Sequence, residues 1–143
     1  MDNINSMYND CHEKMVQLLR LMRKRKKSSI EDISGNQFLV IKSINPTDRI
    51  MLSELSSIVD IENSNITGIV DALVQKGILK RYNDPEDRRV IRVKLTKKGK
   101  EVRQDSIKRQ EDFANSIYGV LEPSEIEKFI EILNRLINTD DVN

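Results

Sequence analysis

The hydrophobic pattern of residues 52–95 changes its period once, and this change constrains the fold more than any other feature of the chain. Over residues 52–75 apolar side chains recur every three to four positions, which predicts helix. From Ile78 onward the pattern has period two, which predicts strands. Lys76 and Gly77 separate the two patterns, and a cation followed by glycine is typical of a helix end. The predicted order is therefore helices first, then a β-hairpin.

The helical part indicates two short helices joined by a tight turn. The first is predicted at residues 53–59, with Ser53 as its N-cap and Glu54 in its first turn, where a carboxylate suits the helix dipole. After a turn at residues 60–62, the second helix begins near Asn63 and runs for about 14 residues. Its buried positions are predicted to be Ile66, Ile69, Val70 and Leu73.

Small uncharged side chains occupy the outward face of this second helix: Asn63, Ser64, Asn65 and Thr67. Asparagine can pair in a bidentate way with adenine, and the methyl group of threonine can contact that of thymine. This face is therefore predicted to lie in a DNA major groove. The alternative is that the first two residues only cap a surface helix and that the other two face solvent.

The period-two part predicts a hairpin with a long charged tip. Residues 91–95 form a half-buried strand with a basic outer face, residues 78–82 form its partner, and residues 83–89 connect them. At the tip, Asp87 can hold the guanidinium of Arg89 in a bidentate contact and orient it. An oriented arginine, with Arg88 beside it, suits a narrow minor groove. The alternative is a solvated, salt-bridged turn.

Helix, turn, helix and hairpin in this order form a winged helix-turn-helix. The chain carries LSEL, KGIL, DPEDRRV and VKLTKKG, with Ser64, Asn65, Ile66, Thr67, Val70, Asp71 and Leu73 in the second helix. Together these motifs resemble the multiple-antibiotic-resistance regulator (MarR) family. The resemblance implies a dimeric winged-helix transcription factor, often a repressor that a phenolic or other ligand, or oxidation, releases. Gly68 departs from it, because many members have arginine there.

The resemblance also implies roles for residues by position. It assigns Asn63, Ser64, Asn65 and Thr67 to the major groove and Arg89, oriented by Asp87, to the minor groove. Backbone contacts are expected from Ser53, Lys76, Arg81 and Lys97. An effector pocket is expected between the first, second and fifth helices, with Met15, Met22 and Phe38 as candidates. The alternative for these three is plain core, and the sequence identifies no ligand.

The flanking regions are predicted to be helical, which gives a mainly α fold with a small β-hairpin wing. The stripe of the first helix, residues 4–25, is longer than one compact monomer covers, so it is expected to pack against a second subunit. Ser34 and Gln37 are predicted to start the next helix as a capping box. We expect one domain over residues 1–143, with the winged helix-turn-helix at 34–95 and dimerisation helices at 1–27 and 104–143.

The net charge of the 143 residues is only +1, but the charge is unevenly distributed. Residues 76–103 carry eleven Lys or Arg against four acids, whereas residues 104–143 carry four against nine. Such a basic segment around the predicted hairpin is typical of a surface that faces phosphates. No apolar run reaches the length of a membrane span and the N-terminus is polar, so a cytoplasmic protein is expected.

No combination of residues predicts an enzyme, a metal site or a cofactor. The single cysteine, Cys11, and the single histidine, His12, are neighbours on one helix and point about 100° apart. Cys11 is either a small hydrophobe of the apolar stripe or a redox sensor, as in some members of the resembled family. Two other functions remain open: a winged-helix protein-interaction module, and a non-specific architectural DNA binder.

Overall fold

The computed structural model describes residues 2–25, 33–61 and 63–139. Within these ranges the elements, in chain order, are α1 (Asp2–Arg25), α2 (Gly35–Ser43), β1 (Ile50–Met51), α3 (Leu52–Val59), α4 (Asn63–Gln75), β2 (Leu79–Asn83), β3 (Ile91–Leu95), α5 (Lys97–Tyr118) and α6 (Pro123–Ile137). The chain divides into two compact units. We call residues 28–109 the winged-helix unit, and residues 1–27 with 110–143 the terminal unit.

An aliphatic core holds the winged-helix unit together. Its buried side chains come from α2, α3, α4 and the sheet: Val40, Ile41, Ile44, Leu55, Ile66, Val70, Leu73, Ile78, Leu79, Val93 and Leu95. Burying one such side chain fully stabilises the fold by about 1.5 to 3 kcal/mol relative to leaving it exposed. The helix-period and strand-period positions thus meet in one core. Ile58, which lies at helical spacing from the buried Leu55 of α3, is instead exposed.

The sheet is antiparallel with strand order β1, β3, β2. Leu79 pairs with Leu95 and Ile50 pairs with Val93, so alternate residues of each strand face the core. The sequence predicts this strand at residues 78–82, but in the structure it lies one residue later, at Leu79–Asn83. Ile78 belongs to the turn that closes α4, because its N–H donates to the carbonyl of Leu73 at 2.9 Å.

Gly77 makes this helix end possible. Its φ is +72°, its N–H donates to the Val74 carbonyl at 2.9 Å, and the Ile78 bond closes the turn around it. These two bonds form a Schellman motif, which satisfies carbonyls at the end of the helix and requires the left-handed conformation that glycine adopts readily. The predicted stop of α4 at Lys76 and Gly77 is confirmed.

Helix starts confirm the predicted capping box of α2 and correct the predicted cap of α3. Ser34 and Gln37 form the capping box, with both bonds at 3.2 Å, and the Thr96 hydroxyl accepts from the Gly99 N–H at 2.9 Å. Ser53 is not the N-cap of α3. Met51 holds that position because it ends β1 in an extended conformation, and the Glu54 carboxylate accepts from its N–H at 3.1 Å.

The terminal unit exposes much apolar surface. Among the large side chains of α1, Met7 and Tyr8 are each 64% exposed, and no residue of α6 is buried. The predicted apolar stripes are therefore present on the helices, but the described chain alone does not cover them. None of the described helices is both long enough and apolar enough to cross a lipid bilayer.

Candidate nucleic-acid interface

Of the four polar side chains on α4 that the sequence assigns to a major groove, the structure describes two. Asn65 is exposed and Thr67 is half-buried, while the side chains of Asn63 and Ser64 lie outside the described residues. Gly68 is exposed, and a Cβ atom added there would meet no atom within 4 Å. Asn65 and Gly68 line an open groove of about 770 Å³ together with Asn36 at the start of α2. The backbone of α4 is thus accessible at this point.

Asp84 organises the hairpin tip. Its Oδ1 accepts from the N–H of Glu86 at 2.8 Å and from that of Asp87 at 3.3 Å. The backbone of Asp84 adds a bond from its N–H to the Val90 carbonyl at 2.8 Å. An aspartate that bonds the backbone two residues further on forms an Asx turn, which fixes the path of the chain. The tip is therefore a defined turn.

The second oxygen of Asp84 accepts from the guanidinium of Arg92, which projects from β3. Arg92 also reaches the Arg49 carbonyl before β1, at 3.4 Å. The hydrogen bond from Arg92 is the main reason that the pKa of Asp84 is lowered, with the turn N–H groups adding to it, and the same contact raises the pKa of Arg92. Asp84 and Arg92 thus join the tip to all three strands.

Arg89 and Asp87 form the fork that the sequence pattern predicts for the tip. The Nε and Nη2 atoms of Arg89 lie 3.1 and 3.3 Å from the two oxygens of Asp87, and the N–H of Arg89 donates to the same carboxylate at 3.0 Å. These bonds lower the pKa of Asp87. The Arg89 side chain is nevertheless 91% exposed, so it is oriented without being buried. Arg88 beside it is exposed.

The four predicted backbone contacts lie on four different elements. Ser53 is exposed in the first turn of α3 and Lys97 is exposed in the first turn of α5. The Lys76 ammonium donates to the Gln37 side chain at 3.2 Å. Arg81 projects from β2 toward α4 and pairs with Asp71 at 2.8 Å, with about a third of its side chain exposed. Their contacts with DNA stay a prediction.

Comparisons with known proteins identify the family. A model of the MarR family matches residues 33–91. The transcriptional regulator PrsX of Escherichia coli is 30% identical over 139 residues, which span 90% of this chain and 83% of PrsX. The chain belongs to the MarR family. As a MarR-family protein it is a DNA-binding transcriptional regulator with a winged-helix fold, and not an enzyme.

Other relatives and solved structures agree. The HTH-type regulator YpoP of Bacillus subtilis is 28% identical and the repressor MprA of E. coli 24%, with 90% and 70% of their lengths covered. A mutant of E. coli MarR in complex with operator DNA superposes with a TM-score of 0.70 at 25% identity, covering 94% of this chain and 95% of that one. YusO of B. subtilis shares the fold, with a TM-score of 0.73 at 20% identity and coverage of 94% and 97%.

The remaining predicted site residues of this MarR-family chain do not form a described site. Met15 and Met22 are half-buried in the terminal unit, and Phe38 is half-buried in the winged-helix unit. Cys11 is a free thiol, exposed on α1. Their roles as effector pocket and redox sensor stay predictions.

Sequence reasoning missed the roles of Asp84 and Arg92. It counted Asp84 only as a charge of the tip and Arg92 only as part of a basic strand face. The order Asn, Asp, Pro at residues 83–85 carries a usable signal, because Asp before Pro favours a turn that its own side chain closes. The pairing with Arg92 has no such local signal, since it depends on the register of the hairpin.

Asp84 gives the wing an expected dependence on pH. Because its pKa is lowered in the folded state, its contribution to the free energy of unfolding is complete above the unfolded value of about 3.9 and is lost as the pH falls through the folded value. Asp84→Asn should therefore be less stable than the wild type at pH 7, and the gap should narrow near about pH 3. Urea unfolding at both pH values measures it.

The matched control for this experiment is Asp105→Asn, at an exposed position of α5. We expect its stability difference from the wild type to be small at both pH values. A gap for Asp84→Asn that stays constant between pH 7 and pH 3 would show that the carboxylate charge does not support the wing.

Proposed function

We propose that this chain is a homodimeric repressor that binds a pseudo-palindromic operator and is released by an effector. Asn63, Ser64, Asn65 and Thr67 of each α4 would read a major groove, and the two α4 helices would enter successive grooves about 34 Å apart. Arg89, with Arg88, would enter the flanking minor groove. Ser53, Lys76, Arg81 and Lys97 would contact phosphates. Such a protein works where the chromosome is, in the cytoplasm.

The observation that carries the proposal is the fork of Arg89 and Asp87. A fully solvated arginine at a loop tip loses side-chain entropy when it enters a groove, and the carboxylate fixes the guanidinium before binding. The negative charge of Asp87 is unfavourable near phosphates, so its position next to Arg89 is easiest to explain if orientation matters more than net charge. The narrow minor groove, with its strong negative potential, is the target that such an arginine fits.

The exposed apolar stripes support the dimer. Tyr8 on α1 is 64% exposed, and Leu136 and Ile137 on α6 are 61% and 69% exposed. Several large apolar side chains exposed on one unit indicate an interaction surface, and a closed symmetric dimer is the commonest soluble oligomer. Two copies of the terminal helices would cover each other. The repressor MprA is a relative of 24% identity, and its name supports repression here.

Release by an effector rests on the family likeness. PcaV of Streptomyces coelicolor, whose structure was solved in complex with its natural ligand, shares the fold at 19% identity. In the present chain Met15, Met22 and Phe38 are the candidates for contacting an effector, whose identity is unknown. The ligand would act by changing the distance between the two α4 helices, because operator binding requires both to fit the same duplex.

Selection of bound duplexes from a random pool by the full chain tests the proposal. We expect two inverted half-sites with centres one helical turn apart, about 10 to 10.5 base pairs, and a particle of two chains in sedimentation. Bound duplexes without a shared site would support the architectural alternative. Absence of duplex binding would support a protein-interaction module. Repeating the selection with aromatic acids, or with an oxidant, tests release and the role of Cys11.

A further inference from the structure

The hairpin carries its cations in two different ways. Three arginines are paired with carboxylates: Arg81 with Asp71, Arg89 with Asp87 and Arg92 with Asp84. The two lysines, Lys80 on β2 and Lys94 on β3, have no ion pair within the part of the chain that the structure describes. The pairing therefore fixes three of the hairpin's four arginines in place, all but Arg88, and leaves the lysine charges uncompensated.

The register of the sheet places these lysines directly opposite each other. Lys80 pairs with Lys94 across the two strands, on the face that alternates with the buried residues Leu79, Val93 and Leu95. Like charges at directly opposite positions destabilise a sheet. We call this side, with Arg49, Lys80, Tyr82 and Lys94, the outer sheet face.

Tyr82 concentrates positive charge on the outer sheet face. The guanidinium of Arg49 lies 5.8 Å from its ring centroid, and the ammonium of Lys94 lies 5.9 Å from it. Both distances are within the range of a cation–π contact. The nearby acids are engaged elsewhere, Asp84 with Arg92 and Glu54 with the N–H of Met51. Two cations thus lie at one aromatic ring, and Lys80 adds a third on the same face, beside the paired Arg92.

The position of the outer sheet face indicates which anion it would meet. The opposite face of the sheet packs toward α4, where Arg81 pairs with Asp71. If α4 lies in the major groove, the outer sheet face points away from that half-site, along the duplex. Arg89 lies in the turn before β3, and Lys94 lies five residues after it, at most about 16 Å away. The minor groove is only about 7.5 Å deep, so when Arg89 enters it Lys94 and Lys80 stay outside the groove. Only their long, flexible side chains extend from the base of the hairpin back toward the phosphates at the rim of the groove.

We propose that the outer sheet face binds the phosphate backbone of the DNA that flanks each operator half-site. This inference rests on the proposed function, because it takes the orientation of α4 and the hairpin from it. The phosphates of the flanking DNA would compensate the repulsion between Lys80 and Lys94. Contacts with phosphates do not depend on the base sequence. The face extends the contact outward from the half-site and adds affinity without adding sequence preference.

The test compares two duplexes with the double variant K80Q/K94Q. Both duplexes contain the site selected by the wild type; one ends at the minor grooves next to the half-sites, and the other extends one helical turn further on each side. The wild type should bind the longer duplex more tightly and with a steeper salt dependence. The variant should lose this difference, with a log–log salt slope on the longer duplex smaller by about 2 to 4 and affinity at least about tenfold lower at 150 mM salt.

Two controls make the test decisive. K80R/K94R keeps the charges and should retain the wild-type slope, whereas K14Q/K128Q removes two exposed lysines from the terminal unit and should leave the length dependence intact. If K80Q/K94Q keeps the length dependence, or if the wild type has none, the inference is wrong while operator binding stands. If the wild type prefers neither duplex over a scrambled one, the proposed function fails first.

Discussion

Replacing Arg89 by alanine is expected to weaken binding to the selected operator by about ten- to hundredfold for each half-site. The side chain is 91% exposed, so its removal leaves the core and the turn at Asp84 unchanged. The loss would come from the minor groove, where an oriented guanidinium meets the strongest negative potential of the duplex. Fluorescence anisotropy with a labelled operator, at two salt concentrations, measures it.

Arg135→Ala is the matched control, because it removes one positive charge from an exposed position of α6. We expect it to bind the operator as the wild type does. If Arg89→Ala and Arg135→Ala bind equally well, the assignment of Arg89 to the minor groove is wrong.

Asp87→Ala separates orientation from charge. Removing a carboxylate near DNA should strengthen binding if only net charge matters. Because Asp87 holds the guanidinium of Arg89 through two bonds, we expect weaker binding instead. In the Arg89→Ala background, where there is nothing left to orient, the same substitution should be neutral or favourable. A double-mutant cycle with this change of sign would establish Asp87 as a positioning residue.

Alanine substitutions at two glycines should change stability in opposite directions. At Gly99, in the first turn of α5, an added Cβ would lie 2.0 Å from the carbonyl oxygen of Ile78, and backbone cannot move aside cheaply. We expect Gly99→Ala to lower the free energy of unfolding by about 2 kcal/mol or more, because overpacking exceeds the gain in helix propensity. Urea unfolding of the purified proteins measures the difference.

The close approach at Gly99 has a specific origin. The Thr96 N–H donates to the Ile78 carbonyl at 3.0 Å, the Thr96 hydroxyl donates to the Gly77 carbonyl at 2.6 Å, and the same hydroxyl caps the Gly99 N–H. The start of α5 is thereby held directly against the end of α4. Loss of this contact would affect the base of the hairpin as well as α5.

Gly68→Ala is the matched comparison within the same unit. Nothing lies within 4 Å of a Cβ atom at this position, and Gly68 lies within α4. We expect the variant to be more stable than the wild type by about 1 kcal/mol, the ordinary difference in helix propensity. Equal effects of the two substitutions would contradict the packing described for Gly99. Operator selection with Gly68→Ala would also show whether the small residue affects base preference.

The sequence by itself determined the order of the elements and most of their ends. Hydrophobic residues recur with a helical period before Gly77 and with a strand period after it. These periods show which side chains face the core, so they can be read from the sequence alone. The capping box of Ser34 and Gln37, the stop at Gly77, the Thr96 cap and the fork of Asp87 with Arg89 all join residues a few positions apart. Such contacts depend on local geometry, and the residue types specify them.

Only the tertiary structure decided which distant groups meet. Met51, and not Ser53, is the N-cap of α3. Met51 is the last residue of β1 and is therefore extended, so α3 begins directly after it. The pairs of Arg81 with Asp71 and of Arg92 with Asp84 follow from hairpin register and from packing on α4, and the constraint on Gly99 follows from the position of Ile78. None of these contacts has a fixed sequence spacing, because each depends on how separate elements are arranged in space.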